Sequence, residues 1–325
     1  MVIKTTSYPV ALAVAIGLLV AGCGGAADEA GGKSGAGKLR SINVAETNGM
    51  PSAFLTYGVQ EGLFEEHGLD VTVDTSAGGA AAIPGLVNGS LQVAGSNVVS
   101  VLLASQKGLD LKMVSAGTGV GDDLDADFGR VMVLADSPIR GPEDLATANV
   151  SANTLENISE VSIRSSLENQ DIDSSKMTFT ELGFPDMLPA LEGKDIDAAF
   201  LIEPFATMAA DQGARSVLSP YVGMGANSQI GAYVMTARLV EQDPELATDF
   251  RAGVQETVDA IAADPQAFRD ALPEIADMDP NLVNEIDLPV WSGTVDEESL
   301  RDVGKWMVEF DLIPEEPDYD GIVLP

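Results

Sequence analysis

Cysteine and histidine are almost missing: Cys23 and His67 are the only ones in 325 residues. With Cys23 committed elsewhere, as argued below, disulfides, thiol redox chemistry and cysteine-based metal sites are excluded. His67 falls at the end of a surface helix, where its ordinary role is to cover carbonyl groups, so neither a zinc centre nor a Ser-His-Asp triad can be assembled around it. Positive charge is also scarce, with 17 Lys and Arg against 51 Asp and Glu, a formal charge of -34. Nucleic acid and anionic membrane surfaces would be repelled. The excess reads as a solvated acidic surface and is heaviest after Glu241, on the outward faces of helices.

Long hydrophobic runs are missing as well. The longest, residues 10–20, is too short to span a bilayer, but it follows a Lys-bearing start and leads into Val20-Ala21-Gly22-Cys23. Residues 1–22 are therefore expected to be a signal peptide. The placement of Cys23 resembles that of bacterial lipoproteins, in which this cysteine becomes the lipid-modified first residue. Residues 23–38, rich in Gly, Ala, Ser and Lys, hold too little apolar surface to fold and read as a tether.

What remains is long enough for two lobes. The organising stretch is 61–97. It reads as an amphipathic helix at 61–67 stopped by Gly68, the alternating strand Leu69, Val71, Val73, and the loop Ser76-Ala77-Gly78-Gly79. A helix from Ala80 follows, with Pro84 near its first turn, then a strand at 91–94 running into Gly95-Ser96-Asn97. The unit recurs at 184–205, where Leu188-Pro189-Ala190-Leu191 echoes Ile83-Pro84-Gly85-Leu86. Two such units imply two similar lobes with a cleft between them.

The expected fold is α/β, a mainly parallel sheet in each lobe: 39–128 as the first part of lobe 1, 129–222 as lobe 2, and 223–325 as the return to lobe 1 with C-terminal helices. Strands are expected at 39–46 (Ile42, Val44, Ala45), 111–115, 130–135, 150–152, 177–181 and 196–201. Val217-Leu218 and residues 233–236 read as the returning strands. Hinges are expected near 127–131 and 222–226.

Ligands in such sheets gather outside the carboxyl ends of strands, near helix N-termini. The expected binding residues are Asn48, Ser52, Gly78, Gly79, Ala80, Ser96, Asn97, Thr118, Thr154, Asn157, Glu203 and Tyr233. Glu203 has two readings: a ligand acceptor in the cleft, or a cap on the helix begun by Pro204. Gly117-Thr118-Gly119-Val120-Gly121 lacks the spacing of a dinucleotide fingerprint, and Asp123, Asp125 and Asp127 lack the glycine position and final acid of a calcium loop. No cofactor, metal or catalytic residue is expected.

Gln60-Glu61-Gly62-Leu63-Phe64, Gly68-Leu69-Asp70-Val71, Ser76-Ala77-Gly78, Asn88-Gly89-Ser90, Asp197-Ala198-Ala199 and Glu203-Pro204-Phe205 together resemble the ABC-transporter solute-binding family that serves nitrate, taurine, aliphatic sulfonates and thiamine-pyrimidine precursors. The resemblance spans about 39–324. It implies a type II periplasmic-binding fold that closes on a small molecule and delivers it to a permease with its ATPase. A monomer, lipid-anchored on the extracytoplasmic face of the cell membrane, is expected. Where members often carry an aromatic residue before the acid-Pro pair, this chain has Ile202.

The donor-rich, neutral loops suit a sulfonate- or carboxylate-type solute. Glu203, if it points inward, and the acidic field favour a heterocycle with N–H donors such as a pyrimidine. A pyrimidine-synthase-like enzyme is the alternative of another class, and the resemblance says it needs a cysteine-rich motif and a histidine that are lacking here. An adhesion or scaffold protein is a further class.

Overall fold

The period-two runs become strands and the intervening runs helices in the computed structural model, which describes residues 38–325. The signal, tether and Cys23 expectations lie outside the described residues. The chain begins with β1 (Arg40–Thr47), α1 (Met50–Gln60), β2 (Leu69–Ser76), α2 (Gly79–Asn88), β3 (Val93–Asn97), α3 (Val98–Gln106), β4 (Leu111–Ala116) and β5 (Thr118–Gly119). It continues with β6 (Gly129–Leu134), β7 (Asn149–Ala152), α4 (Ile158–Glu168), β8 (Thr178–Glu181), α5 (Phe184–Gly193), β9 (Ala198–Ile202), α6 (Phe205–Asp211), β10 (Ala214–Leu218) and α7 (Pro220–Met224). The last part comprises β11 (Gly231–Thr236), α8 (Ala237–Gln242), α9 (Pro244–Ala263), α10 (Pro265–Ile275), β12 (Val290–Trp291), α11 (Glu297–Glu309) and α12 (Tyr319–Ile322).

Two five-stranded sheets share one pattern. The first runs β2-β1-β3-β11-β4 and the second β8-β7-β9-β6-β10. In the first, β1 is parallel to β2 and β3, while β11 is antiparallel to β3 and β4. In the second, β7 is parallel to β8 and β9, while β6 is antiparallel to β9 and β10. The antiparallel strand in each sheet is the one that has just crossed from the other lobe. The repeat seen in the sequence is β2-α2-β3 against β8-α5-β9. Both helices have 10 residues and carry an internal proline, Pro84 or Pro189, and each is followed by a left-handed residue, Gly89 (φ 81°) or Lys194 (φ 61°).

Three local expectations are corrected. Val217-Leu218 is not a return strand; it lies in β10, paired with β6 of the second sheet, so β11 alone brings the chain back. Residues 61–67 do not form an amphipathic helix. Gly62 at φ 76° turns the chain after α1 and leaves one 3-10 turn, Glu65–His67, closed by Gly68 at φ 75°. Pro84 sits in the middle of α2 rather than near its first turn.

The core follows the layers. One apolar cluster packs α1, α9 and α10 onto the first sheet through Phe54, Tyr57, Phe64, Phe250 and Phe268. The other runs from α2, α3 and β4 into the second lobe, through Val98, Leu102, Phe128, Phe200 and Tyr221. With non-directional apolar burial supplying both cores, strand ends are free to carry polar groups. Among the described residues no helix is long and apolar enough to cross a membrane.

Candidate functional site

A cavity opens where the carboxyl ends of the two sheets face each other. It measures about 510 Å³ between protein atoms, mouth included. Lobe 1 contributes Glu46, Thr47, Pro51, Ser96, Asn97, Thr118 and Tyr233, and lobe 2 contributes Phe128, Asn153, Ile158, Phe184, Ile202 and Tyr221. Pro51 and Ile158 lie in the first turns of α1 and α4, and Asn97 caps α3 by accepting the Ser100 amide at 2.8 Å. The positive ends of three helix dipoles are thus directed at the cavity.

The lobes meet around it. Asn153 Nδ2 donates to the Ala77 carbonyl at 2.9 Å, and the Met50 amide donates to the Glu203 carbonyl at 2.9 Å. Further along the seam, Arg130 pairs with Asp287 at 2.9 Å.

Of the lining residues outside the expected set, among them Thr47, Asn153, Phe184 and Tyr221, Glu46 is the carboxylate. It is 4% exposed, and its Oε1 accepts the Thr47 amide at 2.6 Å. The carboxyl lies over Gly95, where an added Cβ would come 1.9 Å from Oε2, so only glycine leaves it room. Burial pushes its pKa up to about 7, and hydrogen bonds from Thr47 and the Tyr233 hydroxyl only partly oppose this. Burial and the neighbouring Glu46 in turn hold Tyr233 well above the usual tyrosine range. The signal was present in β1: Glu46 has the same strand parity as Ile42 and Val44, so a carboxylate continues an inward apolar face.

The expected site residues fall into three groups. Ser96, Asn97, Thr118 and Tyr233 line the cavity. Behind it, Asn157 caps α4 at Ser159 and donates to Asn153 Oδ1 (2.8 Å) and Thr154 Oγ1 (2.7 Å), fixing the loop that presents Asn153. Gly78 and Gly79 allow close approach, to Asn153 and to Ser96 respectively. Ser52 exchanges hydrogen bonds with the Gly49 backbone and closes the start of α1. Asn48, half-buried, and Ala80, exposed, are outside the lining.

Glu203 takes the capping role rather than the ligand role. Its carboxylate accepts the Thr207 amide (3.1 Å) and hydroxyl (2.9 Å) and the Asp287 amide (3.3 Å), and it is absent from the lining. Burial raises its pKa to about 7 despite these bonds. Asp127 likewise turns inward, accepting the Gly129 and Val222 amides at 2.9 Å each, and burial raises it to about 6.

Two sheets of one topology facing across a cleft define the periplasmic-binding class of fold. A family model described as NMT1/THI5 like matches residues 51–268, and the chain belongs to that family. Among solved structures, it is similar to the alkanesulfonate-binding protein SsuA from Xanthomonas axonopodis pv. citri bound to MOPS, with 15% identity over 89% of this chain and 99% of that one and a TM-score of 0.74. The ligand-binding component of an ABC-type import system from Staphylococcus aureus, with zinc bound, matches at 14% identity, 88% and 97% coverage and a TM-score of 0.71. The periplasmic aliphatic sulphonate binding protein SsuA from Escherichia coli matches at 15%, 86% and 96%, and 0.69. No curated protein matches the chain in sequence.

Proposed function

We propose that this chain is the extracytoplasmic solute-binding component of an ABC importer, a non-catalytic monomer that captures a small organic solute between its lobes and delivers it to a permease with its ATPase. The observation that carries this reading is the enclosed cavity between the two sheets, lined from strand ends and helix starts of both lobes. Family membership and the binding-protein names of the similar structures support it.

The first choice of solute is a sulfonate- or carboxylate-type organic molecule. Ser96, Asn97, Thr118 and Asn153 offer neutral hydrogen-bonding groups, and the starts of α1, α3 and α4 offer partial positive charge. The second reading, a thiamine-precursor pyrimidine or similar heterocycle, is favoured by Glu46, an acceptor when ionised, and by the rings of Phe128, Phe184, Tyr221 and Tyr233.

Calorimetry with taurine, an alkanesulfonate, nitrate and a hydroxymethylpyrimidine, with each mixture assayed for product, tests the proposal. Stoichiometric binding of at least one without conversion is expected. Binding of none, or turnover of any, overturns it. The proposed location is the outer face of the cell membrane through lipid on Cys23. Cys23→Ser is expected to release the protein from the membrane fraction, and retention there would contradict the anchor.

A further inference from the structure

Among the residues lining the cavity, Glu46 is the only one whose side chain can be charged near neutral pH; no Lys, Arg or His is present, and Tyr221 and Tyr233 are held protonated by burial. Glu46 belongs to no ion pair among the described residues. An ionised carboxylate has about four acceptor positions, and here the protein supplies three donors, the Thr47 amide and the Thr47 and Tyr233 hydroxyls. The neighbouring strands add no charge, since Thr75 of β2 is opposite Glu46 and Gly95 of β3 lies beneath it. From lobe 2 the titratable group lining the cavity is Tyr221, with Asp127 behind it.

Glu203 makes its hydrogen bonds away from the lining, whereas Glu46 forms part of the cavity wall. A carboxyl so placed gains from a donor brought by the solute and is opposed by an anionic group in the same position. We propose that Glu46, set against Tyr233 on the wall of the cleft, is the specificity-determining residue of the solute site and selects a molecule that presents an N–H donor there. This rests on the reading of the cavity as a solute site and deepens it. An oxyanion, where the solute has one, is then held at the opposite side by helix starts and neutral donors. Solutes bearing both groups satisfy both walls.

The selection is linked to protons. With Glu46 raised to about 7, donor binding is strongest above that pH, where the carboxylate is ionised, and weakens as pH falls through it. A solute placing an anion beside Glu46 has the opposite slope.

Two matched pairs of probes separate the outcomes: taurine against ethanesulfonate, and 4-amino-5-hydroxymethyl-2-methylpyrimidine against the same ring without its amino group. In the unmodified protein, the amino member of at least one pair is expected to bind ten-fold tighter or better at pH 8, with that ratio shrinking several-fold at pH 5.5. Glu46→Gln, which keeps the shape, is expected to reduce the ratio to near one and flatten its pH dependence. The wild-type pH profile serves as the test should that variant fold poorly. Binding with no preference for the amino member, or a preference unchanged in Glu46→Gln, overturns the inference and leaves the solute-binding reading standing. Absence of binding by every probe, including nitrate, removes that reading and this inference with it.

Discussion

The end of β1 and the end of β9 carry two glutamates that look alike by one measure and differ by another. Glu46 and Glu203 are both buried, at 4% and 2% exposure, and burial raises both to about 7. Glu203, however, accepts three hydrogen bonds from Thr207 and Asp287, and its backbone holds Met50 across the seam. Glu46 accepts the Thr47 amide and the Thr47 and Tyr233 hydroxyls, but it lines the cavity. A raised pKa alone marks burial. Place relative to the cavity, with Glu46 in its wall and Glu203 off it, separates the two acids.

The largest effect expected from this contrast is on stability. Glu203→Ala leaves the Thr207 amide and hydroxyl and the Asp287 amide without their acceptor, at ~2–3 kcal/mol for buried donors of this kind. Glu46→Ala frees the Thr47 amide and the Thr47 and Tyr233 hydroxyls next to a cavity that can admit water, and should cost ~1 kcal/mol. Urea unfolding of the two variants measures the difference. Equal losses would mean that Glu46 is as firmly built into the fold as Glu203.

The same two positions show how far the sequence could be read. The lobes were legible because Ile42, Val44, Leu69 and Val71 alternate on β1 and β2, and because Pro84 and Pro189 punctuate matching helices. Ser96, Asn97, Thr118 and Tyr233 could be found from strand ends alone. Parity would also have given Glu46, had the acid been followed along the face of Ile42 and Val44 rather than treated as the edge of a strand. Asn153 could not be told from Thr154 and Asn157, since hydrogen bonds within the loop decide which side chain reaches the cleft. The role of Glu203 depends on Asp287, 84 residues away, and no local pattern contains that contact.

An effect of similar size concerns pH. Glu46 and Glu203 titrate near 4.5 when exposed and near 7 in the folded chain, so between those values the folded state binds more protons than the unfolded one. Stability therefore falls as pH rises through that window, at ~1.4 kcal/mol for each pH unit it spans and so by up to a few kcal/mol per group. Repulsion within a chain of formal charge -34 adds a background of the same sign. Melting curves from pH 4.5 to 8 should show the decline in the parent and a shallower one in both Glu46→Gln and Glu203→Gln. Adding a donor solute should remove the Glu46 share alone. If solute flattens the profile of Glu46→Gln as much as that of the parent, the two acids are not divided as their places in and off the cavity wall suggest.

The smallest expected effect is on closure, and it uses the contacts flanking the same two strand ends. The Met50 amide to Glu203 carbonyl bond is backbone only, so side-chain replacement leaves it in place. The Asn153 to Ala77 bond depends on one side-chain amide. Asn153→Asp retains an acceptor for Asn157 Nδ2 and Ser159 Oγ but removes the donor that crosses the cleft. A net hydrogen bond is worth ~1 kcal/mol, which moves an open-closed equilibrium by about five-fold. Solution scattering of the solute-free variant should therefore give a larger radius of gyration than the parent, with saturating solute restoring the compact value. The bond loses its standing as a closing contact if the variant and parent share one radius without solute while both still contract on binding. In that event the contacts of Glu203 with Met50 and Asp287 and the Arg130–Asp287 pair hold the seam.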